Sequence, residues 1–161
     1  MTALGLLALR LALAVVLVAH GLHDLFGFFG GSGAGVGGLD QMAARFTNLG
    51  LEPGFVLAVL AGVTQFAGGL FIAVGFATRW AAAALLLHAL VMIWAQQAAW
   101  GFFLNWFGDP GRGHGIEYTL VQVGAFVCLL LAGGGEASAD HWRSRNAESR
   151  SAARDRIRRK F

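Results

Sequence analysis

Ionisable side chains interrupt the first long apolar segment of the chain. His20, His23 and Asp24 lie within the otherwise apolar run from Leu11 to Phe29. Imidazole and carboxylate groups accept and donate protons and form hydrogen bonds with polar ligands. In a membrane such groups are costly, so their presence is by default an indication of a functional site. The chemistry of this protein is therefore expected around His20.

The apolar runs of the chain predict the helices that hold these residues. Hydrophobic residues make up 57% of the 161 residues and charged residues only 13%. The apolar residues form four runs, at about residues 4–29, 54–76, 80–100 and 116–132, each close to the roughly 20 residues that cross a hydrocarbon core. The expected fold class is all-α, with a four-helix bundle in a polytopic membrane protein.

The distribution of positive charge predicts the topology. Eight of the twelve Lys and Arg residues follow position 142, and basic segments stay in the cytoplasm. We therefore expect cytoplasmic N- and C-termini, a four-helix transmembrane domain over residues 1–137 and a basic cytoplasmic tail over residues 138–161. The tail from Arg143 to Lys160 is expected to bind anionic membrane lipids. No recognition motif accompanies it, so nucleic acid is not an expected partner.

Two features between the runs matter for the fold. The glycine-rich stretch from Gly30 to Gly38 predicts a flexible linker on the outer surface. After it, apolar residues such as Met42 and Phe46 recur at helical spacing, which predicts a short amphipathic helix over about residues 40–50 on the outer interface. The single cysteine, Cys128, excludes a disulfide within the chain and a Cys-x-x-Cys pair.

Antiparallel packing of the four spans predicts a shared polar site. His20 and His88 each lie about 13–15 Å along their helices from a basic residue at the inner end, which places both near mid-membrane. Gln65 lies at the centre of a stripe of small residues in the second span, and such stripes let helices pack closely. On the third span, helical spacing puts Ala95 and Ala99 on the same face as His88.

Three interpretations of this constellation remain open. The first is a quinone pocket, in which imidazole and carboxylate groups bond to the carbonyl oxygens and exchange protons. The second is a haem held between His20 and His88, which ranks behind because two histidines carry no further cofactor signal. The third is structural, with Gln65 and its neighbours joining helices by hydrogen bonds. No metal site is predicted, because His20 and His23 alone are weak evidence for one.

In the quinone interpretation, each candidate residue has a role. All of them lie near mid-membrane or in the outer half of the bundle. We expect cofactor contacts from His20, His88 and Gln65, proton exchange by Glu117 and Asp24, and apolar walls from Phe103 and Trp106.

Several motifs show a resemblance to a known family. They are Arg10-Leu11 with His20-Gly21, Gly68-Gly69-Leu70, Gly75 to Ala82, Gly101 to Trp106, Gly115 to Tyr118, and Gly133 to Asp140. With these motifs, residues 5–140 resemble the DoxX family of small bacterial membrane proteins. Where the family often has Lys and Glu, this chain has Asp24 and Gln65.

The resemblance implies a four-helix protein of the bacterial inner membrane that is associated with redox chemistry. Family members are linked to thiosulfate:quinone oxidoreductase, to terminal quinol oxidase and to thiol or superoxide defence complexes. The chain is therefore expected to be an inner-membrane subunit that works with a partner protein, and at most a subunit of a quinone-linked oxidoreductase. The alternatives are a non-catalytic anchor or assembly subunit and, third, a small-solute carrier, although inverted repeats are not evident.

Overall fold

A computed structural model describes residues 2–30 and 37–158, and most of these residues lie in helices. The helices are α1 (Thr2–Phe26), α2 (Leu39–Asn48), α3 (Gly54–Val74), α4 (Thr78–Met92), α5 (Glu117–Ala132) and α6 (Ala139–Arg158). After Met92, α4 continues as a wide π-helical turn, Ile93–Gln97, and a 3₁₀ turn, Ala98–Trp100. These two described ranges contain no strand, which confirms the all-α prediction.

Three helices are long and apolar enough to cross a membrane. They cover Ala3–Phe26, Gly54–Val74 and Thr78–Trp100, and they coincide with the first three predicted spans. The predicted fourth span corresponds to α5, which is apolar but has only 16 residues and is about 24 Å long. The chain is a multi-pass membrane protein, and the cytoplasmic position of its termini stays a prediction.

The helices pack in chain order around a common core. Helix α1 lies against α3, α3 against α4, and α4 against α5. Buried side chains from all four helices, among them Leu17, Ile72, Leu85 and Phe126, form this core. The bundle therefore positions any site at its centre with contributions from each apolar helix.

The predicted elements outside the spans have different outcomes. Helix α2 lies where the amphipathic helix was expected, and it buries Met42 and Phe46 against Ala58 and Ala61 of α3. The tail forms the single helix α6, which runs to Arg158. The end of the tail, residues 159–161, and most of the predicted glycine-rich linker, residues 31–36, lie outside the described residues.

Small residues form the seam between α1 and α3. A Cβ atom added to Gly21 would lie 2.6 Å from the backbone nitrogen of Phe66, closer than real atoms approach. A Cβ atom added to Gly69 would lie 3.0 Å from the Cβ of Leu17. One added to Gly68 would lie 3.0 Å from the side chain of Leu85 in α4. The packing confirms the predicted role of the small-residue stripe.

The close approach at Gly21 generates a first prediction. Gly21→Ala is expected to lower the free energy of unfolding by about 1–3 kcal/mol, because the added methyl group forces α1 and α3 apart. Gly5→Ala is the matched control, since the same helix has open space around Gly5. Thermal unfolding in detergent measures both. Equal midpoints for the two variants would contradict the packing described here.

Arg10 ties one end of the bundle together. Its side chain is only 1% exposed. The guanidinium donates hydrogen bonds of 2.8 Å to the carbonyl oxygens of Ile72, Ala73, Gly134 and Ala137. The first two carbonyls belong to the last turn of α3, where helical carbonyls lack partners within the helix. Arg10 therefore joins α1, α3 and the α5–α6 connection at what we call the Arg10 end.

Asp140 of α6 completes the same end by capping α4. Its carboxylate accepts hydrogen bonds from the backbone N–H groups of Ala77 and Thr78, at 2.8 Å each, and from the Thr78 hydroxyl at 2.9 Å. Partial burial raises the pKa of Asp140, but these hydrogen bonds and Arg143 outweigh it, so that the pKa is lowered overall. The cap of α4 thus comes from a charged group on another helix.

The bonding of Arg10 generates a second prediction. Arg10→Lys is expected to cost about 1.5–3 kcal/mol of stability, because an ammonium group cannot reach four carbonyls in a fork and at least one buried carbonyl loses its charged donor. Arg79→Lys is the matched control at the same end, since Arg79 is exposed and donates one hydrogen bond, to Leu131. Its expected cost is below about 0.5 kcal/mol. Chemical denaturation in detergent compares them, and an equal loss in both variants would contradict the role of Arg10.

Candidate functional site

A cavity of about 190 Å³ lies at the centre of the bundle. Its apolar walls come from four helices and include Leu17 of α1, Met42 of α2, Leu85 and Met92 of α4, and Phe126 of α5. We call this space the central cavity. Because the walls come from facing helices, the cavity depends on the packing of the whole bundle.

Four of the predicted site residues meet in the central cavity. His20 and Asp24 of α1, Gln65 of α3 and His88 of α4 all line it. His20, Gln65 and His88, which were predicted to lie at equal depth on antiparallel helices, therefore line the same cavity. Asp24 is 8% exposed, so its carboxylate lies inside the protein rather than at the surface.

Asp24 and Gln65 form a direct contact between helices. The Gln65 amide Nε2 donates a hydrogen bond of 2.7 Å to Asp24 Oδ2. This contact agrees with the interhelical role considered for Gln65, and it also holds the carboxylate at the cavity wall. The two positions at which the sequence departs from the DoxX pattern are thus partners in one contact. At these two positions an amide donor faces a carboxylate acceptor.

A second cavity of about 670 Å³ adjoins the first, away from the Arg10 end. We call it the mouth cavity. The two cavities share several lining residues, and these are His20, Arg45, Gln96, Gln97, Tyr118 and Thr119. Trp100, Leu104 and His114 line the mouth cavity alone. His20 therefore lies at the boundary between the central cavity and the mouth cavity.

The wide turn at Ile93–Gln97 explains residues that the sequence pattern missed. Regular helical spacing predicts Ala95 and Ala99 on the face of His88, but Gln96 and Gln97 line both cavities instead. A π-helical turn accommodates an extra residue and rotates the residues after it. Two adjacent glutamines in an apolar span could have indicated a polar site, but the assumption of a regular helix placed other residues on the face of His88.

Two amide atoms of these glutamines have unmet hydrogen bonds. Gln96 Nε2 and Gln97 Oε1 are buried and contact no partner in the part of the chain that the structure describes. An unsatisfied buried polar atom costs about 1–3 kcal/mol. Since both side chains line the cavities, a polar ligand or ordered water can meet this requirement.

Three predicted residues lie outside both cavities. Glu117 uses its Oε2 atom to accept a hydrogen bond of 3.0 Å from the backbone N–H of Leu104. Phe103 is 63% exposed and Trp106 is 68% exposed. Backbone hydrogen bonds pair the two sides of the α4–α5 connection, for example from Gly115 to Phe103. This pairing directs the two aromatic side chains to the surface, so the cavity walls come from core residues instead.

Neither cavity contains a recognisable metal centre. Within residues 2–30 and 37–158, no three His, Cys, Asp or Glu side chains are grouped to hold a metal ion. Cys128 is exposed and lines neither cavity. The imidazole and carboxylate groups of the site can form hydrogen bonds and exchange protons, and its amide groups can form hydrogen bonds.

Comparison with known proteins identifies the family. The family model of DoxX matches residues 5–98, more than half of the chain, and this region contains His20, Asp24, Gln65 and His88. No curated protein and no solved structure matches the chain. The chain belongs to the DoxX family.

Proposed function

We propose that this protein is the membrane subunit of a redox complex and binds the head group of a quinone in the central cavity. The size of the cavity supports this function most directly. Its volume is about 190 Å³, and a protein cavity of about 150 Å³ is enough to hold benzene. The space suits one six-membered ring, whereas a haem between His20 and His88 would need room for four linked pyrroles.

The lining of the central cavity fits a quinone head group. Leu17, Leu85 and Phe126 offer apolar surface for the ring, and ligand sites are commonly apolar with a few placed polar groups. The carbonyl oxygens of a quinone only accept hydrogen bonds, and the imidazoles of His20 and His88 can donate them. The lining thus supplies both kinds of contact that this class of ligand needs.

The residues of the site also provide positions for protons. A bound quinone supplies the capacity to take up two electrons and two protons. Asp24 Oδ2 is held by Gln65, and in the described residues Asp24 Oδ1 has no hydrogen-bond partner, which leaves it free to accept a proton or a further bond. His20 lies on the boundary of both cavities, where an imidazole can pass a proton between the central cavity and the mouth.

Binding of a short-chain ubiquinone analogue tests the proposal. The purified protein in lipid nanodiscs is titrated by calorimetry, in the wild-type form and as His20→Ala and His88→Ala. We expect each substitution to weaken binding about tenfold, because each removes one hydrogen-bond donor worth roughly 1.4 kcal/mol. His141→Ala is the matched control, since His141 lies on α6 and lines neither cavity.

The outcomes of this titration are distinct. Weaker binding in both cavity variants, with His141→Ala unchanged, supports a quinone site between the two imidazoles. Unchanged affinity in His20→Ala and His88→Ala, with both variants folded, overturns it. Because thermal unfolding is measured on the same samples, loss of the bundle is distinguished from loss of the site.

A non-catalytic anchor is the second candidate, and the surface of the α4–α5 connection favours it. Trp106 is 68% exposed and Phe107 is 94% exposed, and adjacent exposed aromatics are typical of contact surfaces. In this alternative, Trp106→Ala with Phe107→Ala releases a co-purifying partner protein without changing quinone affinity. In the quinone proposal, the same partner protein supplies electrons to the quinone site, and Trp106 and Phe107 only bind that partner.

The tail is proposed to lie on the cytoplasmic face of a bacterial inner membrane and to bind its anionic lipids. Helix α6 carries six arginines from Arg143 to Arg158, and each basic residue near an anionic surface contributes about 1 kcal/mol. This position also requires the cytoplasmic termini expected from the charge distribution.

Limited proteolysis with trypsin tests the position of the tail. We expect cleavage after the arginines of α6 to be slower in nanodiscs with phosphatidylglycerol than in nanodiscs of phosphatidylcholine alone, because the anionic surface covers the helix. Salt at 0.5 M is expected to remove the difference by screening. Equal cleavage rates in the two lipids at low salt would contradict the proposal.

A further inference from the structure

We propose that the mouth cavity binds a small oxoanion and that Arg45 is its principal contact. This cavity has a volume of about 670 Å³ and is lined by Arg45, His20 and His114. Neither Asp nor Glu occurs among the described residues that line it. The inference goes beyond the quinone site, since it concerns a charged ligand rather than a neutral ring, although His20 and Arg45 line both cavities.

Arg45 is available for a ligand because its guanidinium is unused within the protein. It forms neither a hydrogen bond nor an ion pair with any described residue, although it is a side chain with five N–H donors. The other arginines that precede α6 are engaged: Arg10 donates to four carbonyls, and Arg79 donates to Leu131. Arg112 lies 4.0 Å from the carboxylate of Asp109. A guanidinium fork at a cavity wall is suited to bind oxoanions with two hydrogen bonds.

A second, independent observation points to the same ligand. Gln96 Nε2 is buried, lines the mouth cavity and has no partner among the described residues. It is a donor, and the oxygens of an oxoanion are acceptors. Arg45 comes from α2 and Gln96 from the wide turn after α4, so donors on two separate elements converge on one space.

The charges of the two cavities differ in a way that separates their ligands. The central cavity includes the carboxylate of Asp24, which disfavours a second negative charge. Arg45 and His20 line both cavities, but no carboxylate is among the described residues that line the mouth cavity, which adds the imidazole of His114. A cleft lined by one sign of charge concentrates the opposite ion. The mouth cavity is thus the space in which a tetrahedral oxoanion such as phosphate or sulfate is favoured. The ion can be free in solution or belong to a lipid head group, since both present the same chemistry.

Titration with inorganic phosphate tests the free ion. The full-length protein in nanodiscs of phosphatidylcholine is titrated at constant ionic strength, as wild type, Arg45→Gln and Arg112→Gln. Arg112→Gln is the matched control, because it removes the same charge from the α4–α5 connection and lines neither cavity. We expect Arg45→Gln to weaken phosphate binding at least tenfold and Arg112→Gln to change it less than twofold.

Native mass spectrometry tests the lipid head group. The same three forms are released from nanodiscs that contain phosphatidylglycerol, and the number of retained lipids is compared. If the ion is a lipid phosphate, wild type and Arg112→Gln retain one lipid more than Arg45→Gln. Arg45 is exposed and has no internal hydrogen bond, so Arg45→Gln is expected to unfold at the wild-type temperature.

Each outcome decides the proposal. A response specific to Arg45 in the phosphate titration supports the site with a free oxoanion, and one in the lipid experiment supports it with a bound head group. If wild type binds neither phosphate nor an additional lipid, the proposal is overturned. It is equally overturned if Arg45→Gln and Arg112→Gln have the same effect, because the contribution is then general surface charge.

Discussion

A single buried guanidinium organises this bundle. The side chain of Arg10 is only 1% exposed, and its four carbonyl partners come from two separate parts of the chain, the last turn of α3 and the α5–α6 connection. Burial of an unpaired charge is expensive, so the fold is favoured only when α3 and the α5–α6 connection present their carbonyls together. Asp140 then caps α4 beside it. Polar contacts thereby close the Arg10 end and fix how the helices are arranged there, which apolar packing alone does not specify.

The opposite end of the bundle is arranged differently, and the cavities follow from that difference. The seam at Gly21 and Gly69 holds α1 and α3 in close contact, whereas α4 widens into its π-helical turn before it reaches α5. The widened turn carries Gln96 and Gln97 into the space between the helices. The close contact of α1 with α3 and the expanded turn after α4 therefore leave a polar space between the helices, which is open on the side away from the Arg10 end.

The fold could be predicted from sequence because it rests on long apolar runs and glycine spacing. The same logic placed His20, Gln65 and His88 at one depth, with Asp24 further towards the outer face, since the rise of regular antiparallel helices sets the depth of each residue. It failed where regularity ends. Gln96 entered the cavity through an irregular turn, and the side chain of Phe103 was turned outward by backbone pairing in a connection.

Buried contacts between residues far apart in the sequence could not be predicted from the spacing of apolar residues either. The pattern marked Arg10 only as a basic residue near a membrane interface, and nothing in its local sequence indicates carbonyl partners at positions 134 and 137. Arg45 was similarly unremarkable on an amphipathic helix. Its place at a cavity follows from how α2 docks on α3, which depends on the complete packing.

The contact between Asp24 and Gln65 has a consequence for how the two positions tolerate change. The amide of Gln65 on α3 donates to the carboxylate of Asp24 on α1. Gln65→Glu alone would leave two carboxylates facing each other, a pairing that proteins disfavour. What the bundle requires at these two positions is therefore the match of donor and acceptor, and neither residue by itself.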